Sequence, residues 1–189
     1  MIPLTPSFLI AAASAFVGLR EEGDNRGLMI ELFLKGVHLP PGMPWCAAFV
    51  HHVGKWSHYD PVGLKSSWPL PATGSCERLH TFAKERDILR AEPADGDVFL
   101  IWSEVKTRHV HTGVIARVRE RGETAGGLKW YDCDTIEGNT NDDGGREGWG
   151  VLRRRRRFYA NTRDAFIHWA DLDQRDRVGD PLADDKRVA

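Results

Sequence analysis

Hydrophobic positions in the first half of the chain recur at the three-to-four-residue spacing of amphipathic helices. They predict four helices, over residues 6–19, 26–35, 46–56 and 76–89. From Val98 onward the pattern changes to short, β-rich apolar runs separated by turn residues. These runs predict strands over residues 98–102, 111–118, 128–137, 150–159 and 166–169. Helices followed by a series of strands are typical of an α+β fold, with N-terminal helices packed on a mainly antiparallel sheet.

The size and composition of the chain suit one globular domain. Of its 189 residues, 41% are hydrophobic and 28% are charged, which is ordinary for a protein with a buried core. We expect a single domain over residues 1–170 and a flexible, charged tail over residues 171–189, where no core pattern is present. The net charge of −1 gives the whole protein no attraction to nucleic acid, so no nucleic-acid partner is expected.

An apolar run near the N-terminus, residues 8–17, is similar to the core of a signal peptide. No lysine or arginine precedes this run, however, and the first basic residue is Arg20. The run is also shorter than the ~20 residues that a membrane-spanning helix needs. We therefore interpret it as a buried helix. We expect no clear signal peptide, synthesis in the cytoplasm and no stable membrane insertion.

The three cysteines, Cys46, Cys76 and Cys133, are too few for a disulfide framework. Cys46 has the setting of a reactive thiol. Pro44 comes shortly before it and suits the first turn of a helix, because its missing N–H would have no partner there. A cysteine in this place lies at the positive end of the helix dipole, which favours the thiolate. Cys76 and Cys133 lack that setting and are expected to be inert.

A thiolate nucleophile needs a base and a group that orients the base. His111 begins one of the predicted strands, and the nearby Gly113 allows close approach of another backbone. Further on, Glu137 and Asn139 lie two residues apart, so on an extended strand both point to the same face and can approach one histidine. We favour Glu137 as the direct partner, since a carboxylate stabilises an imidazolium better than an amide does.

Three further residues are candidates for contact with a substrate. His109 lies two residues before His111 on the same strand face and competes with it as the base, but the glycine context favours His111. Trp45 and Trp102 are candidates to line a substrate groove, although core packing is the usual role of a tryptophan. We therefore assign His109, Trp45 and Trp102 to substrate binding.

Metal chemistry has little support in the sequence. The chain contains no Cys-x-x-Cys or His-Glu-x-x-His motif, and the adjacent His51 and His52 diverge on a helix. Residues 139–144 are similar to the start of a calcium-binding loop, but Gly150 stands where such a loop needs an acidic residue. We expect no metal and no cofactor.

Five consecutive arginines occupy residues 153–157. On a strand their side chains alternate between the two faces, so they do not form one patch. Such a run is typical of an edge strand protected by charge. The alternative is contact with an anionic polymer or phosphates.

Five short elements follow one another over residues 21–159, which is most of the chain. They are EGDNRG at 22–27, PWCAAFV at 44–50, GDV at 96–98, HTGVI at 111–115 and EGN at 137–139. This series resembles the CHAP family (cysteine, histidine-dependent amidohydrolases/peptidases), which are relatives of the NlpC-type cell-wall hydrolases. Thr112 departs from the family pattern, in which an apolar residue is usual at this position.

The resemblance implies a papain-like fold that packs the nucleophile helix against an antiparallel sheet, and hence a CHAP-like catalytic domain over residues 1–170. It also implies cleavage of an amide bond in peptidoglycan, within the stem peptide or between sugar and peptide. Cys46 matches the nucleophile of the family and His111 matches its base. Glu137 and Asn139 match the positions that orient the imidazole and help to polarise the site.

The biological setting implied by the resemblance is that of a phage lysin or a secreted antibacterial effector. Such an enzyme acts at the cell wall or in the periplasm after release through a holin or by non-classical export. An effector would also have an immunity or inhibitor protein as a partner. Two alternatives stay open: a papain-like protease or deamidase that acts on proteins, and a non-catalytic wall-binding module that keeps the fold.

Overall fold

The structure is a computed structural model that describes residues 5–62, 64–141 and 148–172. Its four helices are α1 (Pro6–Ser14), α2 (Leu28–Gly36), α3 (Cys46–Ser57) and α4 (Cys76–Glu85). Its strands are β1 (Tyr59–Asp60), β2 (Lys65–Ser66), β3 (Leu89–Arg90), β4 (Val98–Ser103), β5 (Arg108–Glu123), β6 (Lys129–Thr140), β7 (Gly150–Tyr159) and β8 (Ala165–Ile167). A 3₁₀ turn, Trp169–Asp171, follows β8.

Six of these strands form one sheet with the order β3-β8-β4-β5-β6-β7. Each neighbouring pair among them is antiparallel. β1 and β2 form a separate two-stranded hairpin. The α+β class and the antiparallel sheet are therefore confirmed. β7, which carries the arginine run, lies at an edge of the described sheet, as its charge predicts.

Consecutive residues of β4 pack into two different cores, because side chains alternate across a strand. Val98 and Leu100 join a large apolar cluster that includes the buried faces of the helices. Phe99 lies instead in a smaller cluster with Ile115 and Phe158. The central strands are thus covered on both faces, which holds the residues of the candidate site on a rigid support.

Aromatic contacts hold the start of α3 in place. The ring centroids of Trp45 and Phe33 are 5.8 Å apart, and those of Phe33 and Phe49 are also 5.8 Å apart. Gly138 of β6 faces this cluster: a Cβ atom there would lie 2.7 Å from side-chain atoms of both Phe49 and Trp45. Glycine at this position therefore allows β6 to approach α3 closely.

The first helix ends at Ser14, earlier than its hydrophobic pattern predicts. Gly18 has a φ of +94°, and the chain after it runs beside the start of β7. The Gly18 N–H donates to the Val151 carbonyl at 2.9 Å, and the Val151 N–H donates to the Leu19 carbonyl at 2.9 Å. Pairing with the sheet thus replaces the last helical turn. The remaining helix buries Leu9, Ala12 and Ala13, whereas Phe8 is exposed.

None of the helices in the described part of the chain has the length and apolar character that crossing a bilayer requires. Of the predicted tail, residues 171–189, Asp171 ends the 3₁₀ turn and Leu172 is buried in the large apolar cluster. Residues 173–189 lie outside the described residues.

Candidate active site

Cys46 is the first residue of α3, and only 6% of its surface is exposed. Trp45 caps the helix, and Pro44 therefore precedes the cap instead of lying within the first turn. The first intrahelical hydrogen bond runs from the Phe49 N–H to the Trp45 carbonyl at 2.8 Å. Since the first amides of a helix have no acceptor inside it, the sulfur lies where N–H groups and the helix dipole favour negative charge.

The pKa of the Cys46 thiol lies well below its ordinary value. The largest cause is a hydrogen bond with the Cys76 thiol, and burial of the sulfur works in the opposite direction. The His111 imidazole and the Thr112 backbone lower the pKa further. Cys76 is thus not the isolated, inert thiol that its sequence context predicts. It is the first residue of α4 and contacts the sulfur of Cys46.

His111 lies between Cys46 and Glu137. Its Nε2 atom is 2.9 Å from Glu137 Oε2, whereas its Nδ1 atom has no hydrogen-bond partner among the described residues. Nδ1 is therefore the ring nitrogen that remains available to exchange a proton with the Cys46 sulfur. Burial alone would lower the pKa of His111, but its interactions with the nearby Cys46 and with Glu137 raise it to about 9. Both shifts favour the thiolate and imidazolium forms over the neutral pair.

Glu137 has no exposed surface, and both of its carboxylate oxygens are fully occupied. Oε2 accepts from His111 and from Arg156 Nη2 at 2.6 Å, and Oε1 accepts from Arg156 Nε at 2.5 Å and from the Thr135 hydroxyl at 2.6 Å. Burial opposes the charge, yet Arg156 and then His111 hold the pKa of this carboxyl well below its usual range. Glu137 is therefore an anion with a fixed orientation.

Arg156 is the member of this network that sequence reasoning missed. Its neighbours Arg155 and Arg157 bind Asp132 on the adjacent strand, at 2.7 and 2.8 Å. Arg156 instead reaches Glu137, and this contact joins the edge strand to the candidate site. The alternation along the strand was visible in the sequence, but the register that brings one arginine to one buried carboxylate was not.

Gly113 is required beside this network. A Cβ atom at this position would lie 2.7 Å from the Ile136 carbonyl oxygen and 3.0 Å from Glu137 Cγ. A larger residue would therefore displace either β6 or the carboxylate that orients His111.

Asn139 does not share the position of Glu137, although the two residues are close in sequence. Its φ is +55°, and the pairing of β6 with β7 shifts between Glu137 and Thr140. This irregularity breaks the alternation on which the same-face prediction depends. Asn139 Nδ2 donates to Asn25 Oδ1 at 2.9 Å, so its side chain ties β6 to the loop before α2.

The three predicted substrate contacts lie in different settings. Trp45 has no exposed surface, and its indole N–H donates to Glu21 Oε1 at 2.6 Å, so it is part of the core and does not line a groove. Trp102 is half-buried, with its ring centroid 5.2 Å from that of His109. His109 is buried and contacts Glu77, at 3.1 Å from its Nδ1 atom, and makes no hydrogen bond with Glu137.

A polar depression of about 570 Å³ adjoins the start of α3. The residues that line it include Glu21, Asn25, Pro44, Lys106, Asn139 and Trp149. A larger depression, of about 640 Å³, lies between Lys35, His51 and Trp68 and contains none of the candidate catalytic residues. Cys46, His111 and Glu137 do not line the smaller depression either, but Asn139 does, and Pro44 lies two residues before Cys46. The smaller depression is therefore the one of interest.

Comparison with known proteins found no matching family model, no matching curated protein and no matching solved structure. The chemistry of the site is therefore inferred from its own residues. A thiol with a lowered pKa, an imidazolium and a buried carboxylate in contact are the groups that nucleophilic acyl transfer requires.

Proposed function

We propose that this chain is a cysteine amidohydrolase that cleaves an amide bond of peptidoglycan, either within the stem peptide or between sugar and peptide. The observation that carries the proposal is the connected arrangement of Cys46, His111 and Glu137 at the start of α3. The substrate class is supported by the ordered motifs that resemble the CHAP family. A papain-like arrangement of the fold is part of the same proposal.

In the proposed reaction, the Cys46 thiolate attacks the carbonyl carbon and forms a C–S bond. The carbonyl oxygen becomes an oxyanion near the backbone N–H groups at the start of α3. His111 donates its Nδ1 proton to the leaving amine as the C–N bond breaks, which leaves a thioester. Neutral His111 then takes a proton from water, whose oxygen attacks the thioester. Release of the carboxylic acid restores the thiolate and the imidazolium.

The other residues of the site have positioning roles in this proposal. Glu137 holds Nε2 of His111 and thereby keeps Nδ1 directed toward the sulfur. Arg156 and Thr135 hold Glu137 in turn. The depression lined by Asn25 and Asn139 supplies amide groups that suit a peptide or sugar substrate, and we place the stem peptide there.

The test is incubation of purified wild type and Cys46→Ala with peptidoglycan, with released fragments identified by mass spectrometry. Cys133→Ala is the matched control, because the pKa of this buried thiol is raised to about 12 and it takes no part in the site. Wild type and Cys133→Ala are expected to release the same fragments, and Cys46→Ala none. The fragments also identify the bond that is cut.

Three other results would redirect the proposal. Release of the same fragments by Cys46→Ala would exclude Cys46 as the nucleophile. Cleavage or deamidation of proteins without release of wall fragments would favour a protease or deamidase. Binding to peptidoglycan without release would favour a wall-binding module. If wall cleavage is found, we place the action in the wall or periplasm, as that of a phage lysin or an antibacterial effector.

A further inference from the structure

A second cluster of polar side chains lies beside the candidate active site. It consists of Glu77 and His80 of α4 and His109 of β5, whose ligand atoms all lie within 4.8 Å of one another. His109 Nδ1 is 3.1 Å from Glu77 Oε2, and His80 Nδ1 is 3.8 Å from Glu77 Oε1. The two imidazole rings are stacked, with their centroids 4.3 Å apart. The proposed hydrolysis uses none of these groups.

The hydrogen bonds of His109 determine which of its nitrogens faces the cluster. Its Nε2 atom is 3.1 Å from the Arg163 carbonyl oxygen, which only accepts, so Nε2 carries a hydrogen. In the neutral ring Nδ1 then presents a lone pair to the Glu77 carboxylate. Two acceptors at 3.1 Å need a proton or a cation between them. A backbone carbonyl that holds the distal N–H is also a common second partner of a metal-ligating histidine.

Glu77 and His80 are placed to complete such a site. The Glu77 carboxylate also accepts the backbone N–H of His109 at 3.0 Å, which fixes it against β5. His80 lies three residues after Glu77, so both side chains project from the same face of α4. The cluster therefore offers two imidazole nitrogens and one carboxylate oxygen.

We propose that Glu77, His80 and His109 form a binding site for a borderline divalent cation, with Zn²⁺ as the preferred ion. Two imidazoles and a carboxylate are a common ligand set for zinc, whereas calcium and magnesium prefer oxygen ligands alone. Ligand atoms around a tetrahedral zinc are about 3.4 Å apart, so movements of about 1 Å close the site. The side chain of His80, which is 24% exposed, has room for such a movement.

The position of the site determines its effect. Glu77 follows Cys76, which contacts Cys46, and His109 precedes His111 by two residues. A bound ion would tie the first turn of α4 to β5 at the point where both support the candidate active site. Three protein ligands leave a fourth position open for water or another ligand. This site does not depend on the proposed hydrolysis.

The test is calorimetric titration of the full chain with Zn²⁺ after treatment with a chelator. The parent protein is Cys46→Ala, so that the thiol of the nucleophile cannot bind the ion. One equivalent is expected to bind, with at least tenfold weaker binding in His80→Gln and in Glu77→Gln. The matched control is His38→Asn, which removes an exposed imidazole elsewhere and retains a side chain that tolerates the left-handed backbone at φ +59°. Mg²⁺ is expected not to bind.

Cobalt binding gives an independent readout. With Co²⁺, a spectrum free of thiolate charge transfer is expected, because nitrogen and oxygen are the proposed ligands. Equal affinity in the parent, His80→Gln and Glu77→Gln would overturn the proposal. A thiolate charge-transfer band would also overturn it, since the ion would then lie at Cys76. Circular dichroism verifies that each variant is folded before it is titrated.

Discussion

Replacement of Arg156 by glutamine is expected to destabilise the protein more than its place on an edge strand implies. Arg156 donates two charge-assisted hydrogen bonds, at 2.5 and 2.6 Å, to Glu137, which has no exposed surface. Removal of one partner of a buried ion pair costs about 3–5 kcal/mol. His111 and Thr135 still donate to the carboxylate after the change, so we expect a loss of about 2–3 kcal/mol in the free energy of unfolding, equivalent to one or two charge-assisted bonds.

Arg155→Gln is the matched control for this prediction. Arg155 binds Asp132 at 2.7 Å, but its side chain is 60% exposed and Asp132 keeps Arg157 as a partner. Asp132 is only 4% exposed, but two hydrogen bonds from Arg157 keep its charge paired, so this variant is expected to change little. Urea denaturation followed by circular dichroism measures both free energies. Equal losses in the two variants would refute the reasoning that Glu137 depends on Arg156 more strongly than Asp132 depends on Arg155.

The same contact predicts how stability depends on pH. Although burial opposes it, Arg156 and His111 hold the pKa of Glu137 below its usual range in the folded protein. A lowered folded-state pKa stabilises the fold above the unfolded value of about 4.3, and this stabilisation is lost as the pH falls. Wild type is therefore expected to lose stability below about pH 4, and Arg156→Gln to lose less over the same range.

Three further outcomes are expected. Cys46 should be alkylated by iodoacetamide at pH values well below the ordinary thiol pKa, because its own pKa is lowered. In Cys76→Ala, the pH at which the alkylation rate of Cys46 is half-maximal should be higher, because the largest cause of that lowering is removed. Hydrolysis should decline as the pH rises through about 9, since His111 then loses the proton that the leaving amine needs. Gly113→Ala should lower hydrolysis at least tenfold, because the added Cβ would lie 3.0 Å from Glu137 Cγ.

Each of these outcomes has an internal comparison. In the alkylation experiment, mass spectrometry should find Cys133 unmodified, because burial raises the pKa of its thiol to about 12. An unchanged alkylation profile in Cys76→Ala would contradict the role of the second thiol. Gly126→Ala is the control for Gly113→Ala, since the nearest atom to its added Cβ would be Thr124 Oγ1 at 3.9 Å. Hydrolysis that stays constant above pH 9 would contradict the role of His111 as the acid.

Local patterns in the sequence were sufficient for the elements and for part of the site. The strand predicted over residues 150–159 has the same bounds as β7. The helix predicted to start at Cys46 is α3, which begins at that residue. The prediction that Glu137, and not Asn139, is the partner of His111 agrees with the hydrogen bond between the two side chains. That prediction depended only on the charge of the carboxylate. These features follow from propensity and chemistry within a few residues, which a sequence displays directly.

Other features depended on contacts between distant segments. Pairing with β7 ended α1 early, and an irregularity in β6 turned Asn139 toward Asn25. Trp45, expected near a substrate, is enclosed by aromatic rings and by Glu21. In each case a tertiary contact outweighed a local preference that is worth no more than about 1 kcal/mol per residue.

The sequence by itself determined the α+β class and the helix start that favours a thiolate at Cys46. It also indicated a histidine and a carboxylate, His111 and Glu137, as candidate partners of that thiolate. Only the tertiary structure decided that Cys76 lies against that thiol and that Arg156 holds Glu137. The physical reason is that a helix dipole or a strand period is a property of neighbouring residues. The pKa of a buried group instead depends on whichever charges and donors the fold brings within a few ångströms of it.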